Sequence, residues 1–117
     1  RGLAEITRLG CAFGARQSTF AGLSGTGDLI VTCTSRLSRN RNVGERIGKG
    51  EKAETILGNM KQVAEGVHNC RSAYEMAKEA GIETPITNEV YQIIHKDKDP
   101  RSAVTSLMTR DVKPEAE

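Results

Sequence analysis

Residues 24–34 read Ser24-Gly25-Thr26-Gly27-Asp28-Leu29-Ile30-Val31-Thr32-Cys33-Thr34, and the fold class turns on whether this stretch is a strand or a helix. Its β-branched residues Ile30, Val31, Thr32 and Thr34 suit the pleated surface of a buried strand. A single strand needs a pairing partner for its backbone donors and acceptors, and the chain offers no second convincing strand. A buried helix beginning at Gly27 or Asp28 satisfies the same backbone groups internally. The segment is therefore read as helical, and the expected fold is all-α.

The flanking sequence agrees. Upstream, Leu3, Ile6, Leu9 and Phe13 fall on one face of a first helix that Gly14 is placed to end. Ser18 is positioned to cap a short turn through Phe20 and Leu23. Downstream, residues 38–47 read as a polar loop or helix start closed by Gly48 and Gly50, and Ala53, Ile56 and Leu57 mark a short helix. Val67, Cys70, Tyr74 and Ala77 repeat at helical spacing, with Ala73, Met76 and Ala80 widening the stripe and Gly81 ending it. Thr84 before Pro85 is an N-cap and N1 pair, opening a helix with Ile86, Val90, Ile93 and Ile94 on its core face. Asp99 before Pro100 repeats the signal ahead of Ala103, Val104, Leu107 and Met108. The expectation is one domain of about six to eight mostly short helices over residues 1–110. A loose polar tail, residues 111–117, follows. A helix that reads from Gly2 onward, with Arg1 where an initiator Met would stand, predicts a piece of a larger protein.

Composition narrows the function classes. A net charge of +2 and 27% charged residues describe a balanced surface rather than a polyanion trap. There is no Trp, and aromatics make up only 3%, which argues against base stacking on aromatic platforms and hence against nucleic acid as a partner. No apolar run approaches the roughly 20 residues that span a bilayer, so no membrane partner is expected. Cys11, Cys33 and Cys70 are far apart and unpaired in spacing, which fits reduced thiols in a cytoplasmic protein. His68 and His95 lack ligand spacing, and no metal site is expected.

Three places could carry chemistry. Gly25-Thr26-Gly27 resembles the start of a dinucleotide loop, but Ile30 stands where the third glycine belongs and no strand precedes it. A tight turn beside closely packed backbone accounts for these glycines. Asp28 is either an acid favoured at a helix start or a carboxylate that orients a lysine ammonium or a substrate hydroxyl. Residues 36–46 hold Arg39, Arg41 and Arg46, whose guanidinium forks match phosphate, beside Ser38, Asn40 and Asn42 as neutral donors. Free N–H groups at a helix start would reinforce an anion site there, whereas a solvated basic loop is the plain alternative. No residue presents itself as a catalytic base or nucleophile.

The order and wording of several blocks resemble one family. These are residues 1–10 (RGLAEITRLG), 19–23 (TFAGL), 27–35 (GDLIVTCTS), 38–41 (SRNR), 63–67 (VAEGV), 85–87 (PIT) and 107–110 (LMTR). Taken together they resemble the substrate domain of bacterial NAD(P)-dependent glycerol-3-phosphate dehydrogenases, nearly end to end. The resemblance implies a helical C-terminal domain of the 6-phosphogluconate-dehydrogenase-like type, normally paired with a Rossmann domain that this chain does not contain. It implies an oxidoreductase interconverting dihydroxyacetone phosphate and sn-glycerol 3-phosphate with NAD or NADP as cofactor, in the cytoplasm, for glycerophospholipid synthesis. A homodimer is left as the candidate assembly.

Carried over by position, Asp28, Ser38, Arg39 and Asn40 would contact substrate, with Thr32 as a further contact. Arg39, Val63 and Glu65 would lie on the cofactor side. The family's proton-transferring lysine and its dinucleotide-binding glycines would precede Arg1, so the resemblance assigns no catalytic residue here and implies that the piece alone is inactive. Two rivals stand beside this reading. One is the helical domain of a related dehydrogenase acting on a hydroxy acid, whose carboxylate could also use Arg39. The other is a non-enzymatic module that binds anions or nucleic acid through residues 36–46, with a steep salt dependence.

Overall fold

The computed structural model describes residues 1–60 and 64–110, and within them there are eight α-helices, one π-helical turn and no strand. In chain order these are α1 (Gly2–Ala12), α2 (Gln17–Ala21), the π turn (Leu23–Gly27), α3 (Asp28–Thr34), α4 (Arg39–Gly48), α5 (Ala53–Gly58), α6 (Glu65–Ala80), α7 (Pro85–His95) and α8 (Pro100–Met108). The expected all-α class holds. The proposed tail, residues 111–117, lies outside the described residues, as does Val63.

α1 ends where its glycine allows. Gly14 takes a positive φ of 94°, and the Ala15 N–H reaches back to the Gly10 carbonyl at 3.0 Å. α2 starts one residue before the expected cap, so Ser18 sits inside the helix and Arg16 occupies the N-cap place without a side-chain bond. Phe20 of α2 packs directly on Gly10, where an added Cβ would fall 2.3 Å from Cζ. The π turn then runs without a break into α3, since Gly27 already has helical angles of −62° and −49°. Gly25 is what permits that turn: a Cβ there would lie 2.1 Å from the Phe20 carbonyl oxygen, a backbone atom that cannot step aside. The Thr26 hydroxyl donates to that same carbonyl at 3.1 Å. α3 is thus helical as expected, but it is not a buried helix, because Ile30 and Val31 are 58% and 65% exposed.

The core lies further along the chain. Val43 and Ile47 of α4, Ile56 of α5, Val67 of α6 and Ala64 just before it are buried together, and Ala53, Leu57, Met60, Ile93 and Ile94 pack against them. Ile56 is wholly enclosed, and truncating such a side chain typically costs about 2–5 kcal/mol. The stripe expected on α6 is inward-facing at Val67, Cys70 and Ala77. Its Tyr74 stacks on Tyr91 of α7 with ring centroids 4.0 Å apart. Gly81 closes α6 in the left-handed region.

The last two helices depart from expectation, α7 at its start and α8 on its face. Thr84 holds the N-cap place of α7, but its side chain makes no capping bond. The acceptor comes instead from α1: the buried Glu5 carboxylate accepts the Ile86 and Thr87 N–H groups at 2.9 and 2.7 Å. Asp99 does cap α8, accepting from the Ser102 N–H at 3.3 Å. On α8 only Ala103 is buried, whereas Val104 and Met108, expected on the core face, are exposed. Among the described residues no helix is long and apolar enough to cross a membrane.

Candidate functional site

The expected site residues occupy two adjoining helix starts and the helix before them. Four residues separate α3 from α4, and the connection is built from its own side chains. The Ser35 hydroxyl accepts from the Leu37 N–H at 3.2 Å, and the Ser35 carbonyl accepts from the Ser38 N–H at 3.3 Å. Ser38 then caps α4, its Oγ accepting the Arg41 N–H at 3.2 Å while its backbone stays extended. A hydroxyl that accepts in this way keeps its own hydrogen to donate. Arg39 follows as the first helical residue, where the positive end of the helix dipole and the guanidinium both favour an anion.

Asn40 links this corner to a second helix start. Its Oδ1 accepts the Gly66 N–H at 2.9 Å, tying the first turn of α4 to the first turn of α6 across 26 residues of sequence. Glu65, expected on the cofactor side, is the residue before Gly66 and is exposed. The block expected on the substrate side and Glu65 are thereby brought together at one edge. Asp28 is exposed in the first turn of α3, and the half-buried Thr32 follows one helical turn later on the same face. α3 is fastened to α4 by Arg41, whose Nη1 donates to the Thr34 carbonyl at 2.9 Å.

The three arginines singled out as phosphate forks therefore separate. Arg41 is engaged with the end of α3. Arg46 lies at the far end of α4 and forms a two-pronged pair with Glu51, at 2.9 and 2.8 Å. Their hydrogen bonds hold the Arg46 pKa above its ordinary value and the Glu51 carboxyl below its own. Arg39 is the member of the set that stands with the other expected site residues. A concavity of about 230 Å³ between Ile47, Ala53, Ile93 and Pro100 also lies at that far end and contains none of them.

The remaining candidates for chemistry have structural surroundings. His95 lies against the Val67 carbonyl at 3.1 Å and the Arg71 guanidinium at 3.3 Å, so it bridges α7 to α6. Cys33 is exposed on α3; Cys70 is buried, and burial raises its thiol pKa. Gly66 was not singled out from the sequence, since its significance is a contact with a residue on another helix. What stands at this corner is a hydroxyl, a guanidinium and a carboxamide carried by successive residues at the start of α4, donor types suited to a phosphorylated ligand.

Comparison with known proteins decides the family. The family model described as "NAD-dependent glycerol-3-phosphate dehydrogenase C-terminus" matches residues 1–105. The chain belongs to this family. It is 57% identical over 115 residues to a "Glycerol-3-phosphate dehydrogenase [NAD(P)+]" of Geobacter sulfurreducens, covering 98% of this chain and 34% of that protein. The protein of the same name from Geobacillus kaustophilus is 55% identical over 115 residues, again over 98% of this chain, and 33% of the relative is covered. A crystal structure of glycerol-3-phosphate dehydrogenase from Coxiella burnetii superposes with a TM-score of 0.88 at 40% identity, covering 92% of this chain and 33% of that one. The helical arrangement is thus that of the glycerol-3-phosphate dehydrogenase C-terminal domain. The chain spans about a third of the length of these relatives.

Proposed function

We propose that this chain is the substrate-binding part of an NAD(P)-dependent oxidoreductase that interconverts dihydroxyacetone phosphate and sn-glycerol 3-phosphate. The observation that carries the reading is the junction at Asn40 and Gly66, which places residues 38–40 beside Glu65 within a chain 57% identical to a protein bearing that name.

In this reading Arg39 grips the substrate phosphate, and the Asn40 carboxamide and Ser38 hydroxyl donate to its oxygens. Asp28 accepts from a substrate hydroxyl or orients the ammonium of the lysine that the family supplies upstream, with Thr32 beside it on the same face. The residues present suit one side of a dinucleotide, since Arg39 offers a cation to a polyphosphate and Glu65 an exposed carboxylate to a hydroxyl. Arg39 and Glu65 would hold it from this chain, with Val63 beyond the described residues. Bound NADH or NADPH supplies the hydride that reduces the ketone carbon. A proton from the upstream lysine completes the new hydroxyl, so this chain binds and orients while the proton donor lies elsewhere. Supply of a glycerophospholipid precursor in the cytoplasm is the role we infer for the whole protein.

The test is substrate choice. A protein carrying this chain behind the upstream two thirds of its relatives should oxidise NAD(P)H rapidly with dihydroxyacetone phosphate and poorly with 2-keto acids. Preference for the keto acid would replace this reading with that of a related hydroxy-acid dehydrogenase.

A further inference from the structure

We propose that Gly66 is a positioning residue for the substrate site: having no side chain, it lets the Asn40 carboxamide lie against the start of α6 and fixes which end of that group faces a ligand. The inference rests on the dehydrogenase reading above and deepens it.

A glycine in the second position of a long helix runs against helix propensity, since Ala in its place would be favoured. Here space requires it. A Cβ on Gly66 would fall 2.7 Å from Asn40 Oδ1, 3.0 Å from Cγ and 3.3 Å from Nδ2. By contrast, Gly44, Gly48 and Gly58 have nothing within 4 Å of such an atom, so their places would accept a methyl group. All three atoms near Gly66 belong to the tip of one rotatable side chain. An alanine is therefore accommodated by turning the carboxamide away, with the backbone left in place.

The hydrogen bond adds direction to this fit. The Gly66 N–H can only donate, so the end of the carboxamide that meets it at 2.9 Å must be the oxygen. With Oδ1 committed, Nδ2 and its two hydrogens are the end that serves a phosphate or hydroxyl oxygen. Rotation of the carboxamide would break the bond to α6 and withdraw that donor from the ligand together.

The experiment is a double-mutant cycle in the protein carrying the upstream two thirds, reading KM and kcat for dihydroxyacetone phosphate alongside the melting temperature. Gly66→Ala should raise KM about tenfold with kcat and the melting temperature little changed, as expected when binding common to ground and transition states is lost. In an Asn40→Ala background the obstructing atoms are gone, and adding Gly66→Ala should change KM by less than about twofold. A Gly66→Ala protein with unaltered KM would overturn the proposal. So would an equal loss in both backgrounds, because the effect would not then pass through Asn40. Failure of the underlying reading looks different: the unsubstituted protein itself would turn over no dihydroxyacetone phosphate, and the inference would fall with it.

Discussion

Removing the Glu5 carboxylate strips two acceptors at once from the first turn of α7. Both N–H groups sit in a part-buried corner, and Glu5 itself is 3% exposed, so water replaces the lost bonds poorly. Glu5→Ala should cost about 2–3 kcal/mol of stability, as charge-assisted bonds do, and Glu5→Gln less, since an amide oxygen still accepts. Urea melts of the two variants check this; equal and negligible losses would show that the α1–α7 tie contributes nothing. Cys70 gives a second readout. Burial raises its pKa, so at neutral pH it holds less thiolate than an unperturbed thiol would. A soluble thiol reagent should therefore modify Cys11 and Cys33 quickly and Cys70 slowly, the rate at Cys70 rising toward alkaline pH. At this scale the sequence was legible at Asp99, which caps α8 by bonding the residue three positions on. Ser38 caps α4 in the same way but reads in the sequence only as a donor. Glu5 was not legible, because its partners lie 81 and 82 residues away. The same holds for Asn40, whose place as an expected ligand contact could be read but whose bond to Gly66 could not.

Among elements, the π turn sets where α3 begins and hence where Asp28 stands. Its fit depends on the 2.1 Å approach to the Phe20 carbonyl that a methyl group on Gly25 would make. Gly25→Ala should destabilise the protein by about 1–3 kcal/mol, as overpacking does, and raise KM for substrate by shifting Asp28. Paired melting and kinetic measurements test this, and an alanine that melts and turns over like the parent would contradict the role given to the turn. The polar residues 38–47 fit a loop as well as a helix start. Helix existence was readable at α1, α6, α7 and α8, because Pro at N1 and Gly at C′ act locally and apolar spacing repeats every turn. Which face would be covered was not. Val104 and Met108 share the spacing of a core stripe yet are exposed, since periodicity defines a face without saying what packs on it. The β-branched run in α3 is helical as read, since with no pairing partner backbone satisfaction outweighs side-chain preference, but its expected burial is missing.

Over the whole molecule, the core is concentrated in α4 to α7, whereas the first third carries large apolar side chains in the open. Leu23 is 90% exposed and Leu37 92%, with Ile30, Val31 and Phe13 also uncovered. Exposed apolar surface of this kind promotes association. Sedimentation of the chain alone should show a mass that rises with concentration, and replacing Ile30 and Leu37 with lysine should suppress it. Persistent self-association in that variant would move the sticky surface elsewhere. The central claim is that residues 38–40, pinned to the start of α6, hold the phosphate of a triose substrate. Its most direct test compares NAD(P)H-dependent reduction of dihydroxyacetone phosphate by a protein carrying this chain behind the upstream two thirds of its relatives with that of its Arg39→Ala variant. The account predicts that kcat/KM falls by at least about a hundredfold, the loss expected on removing a charge-assisted phosphate contact. Unchanged kcat/KM in the variant would contradict it.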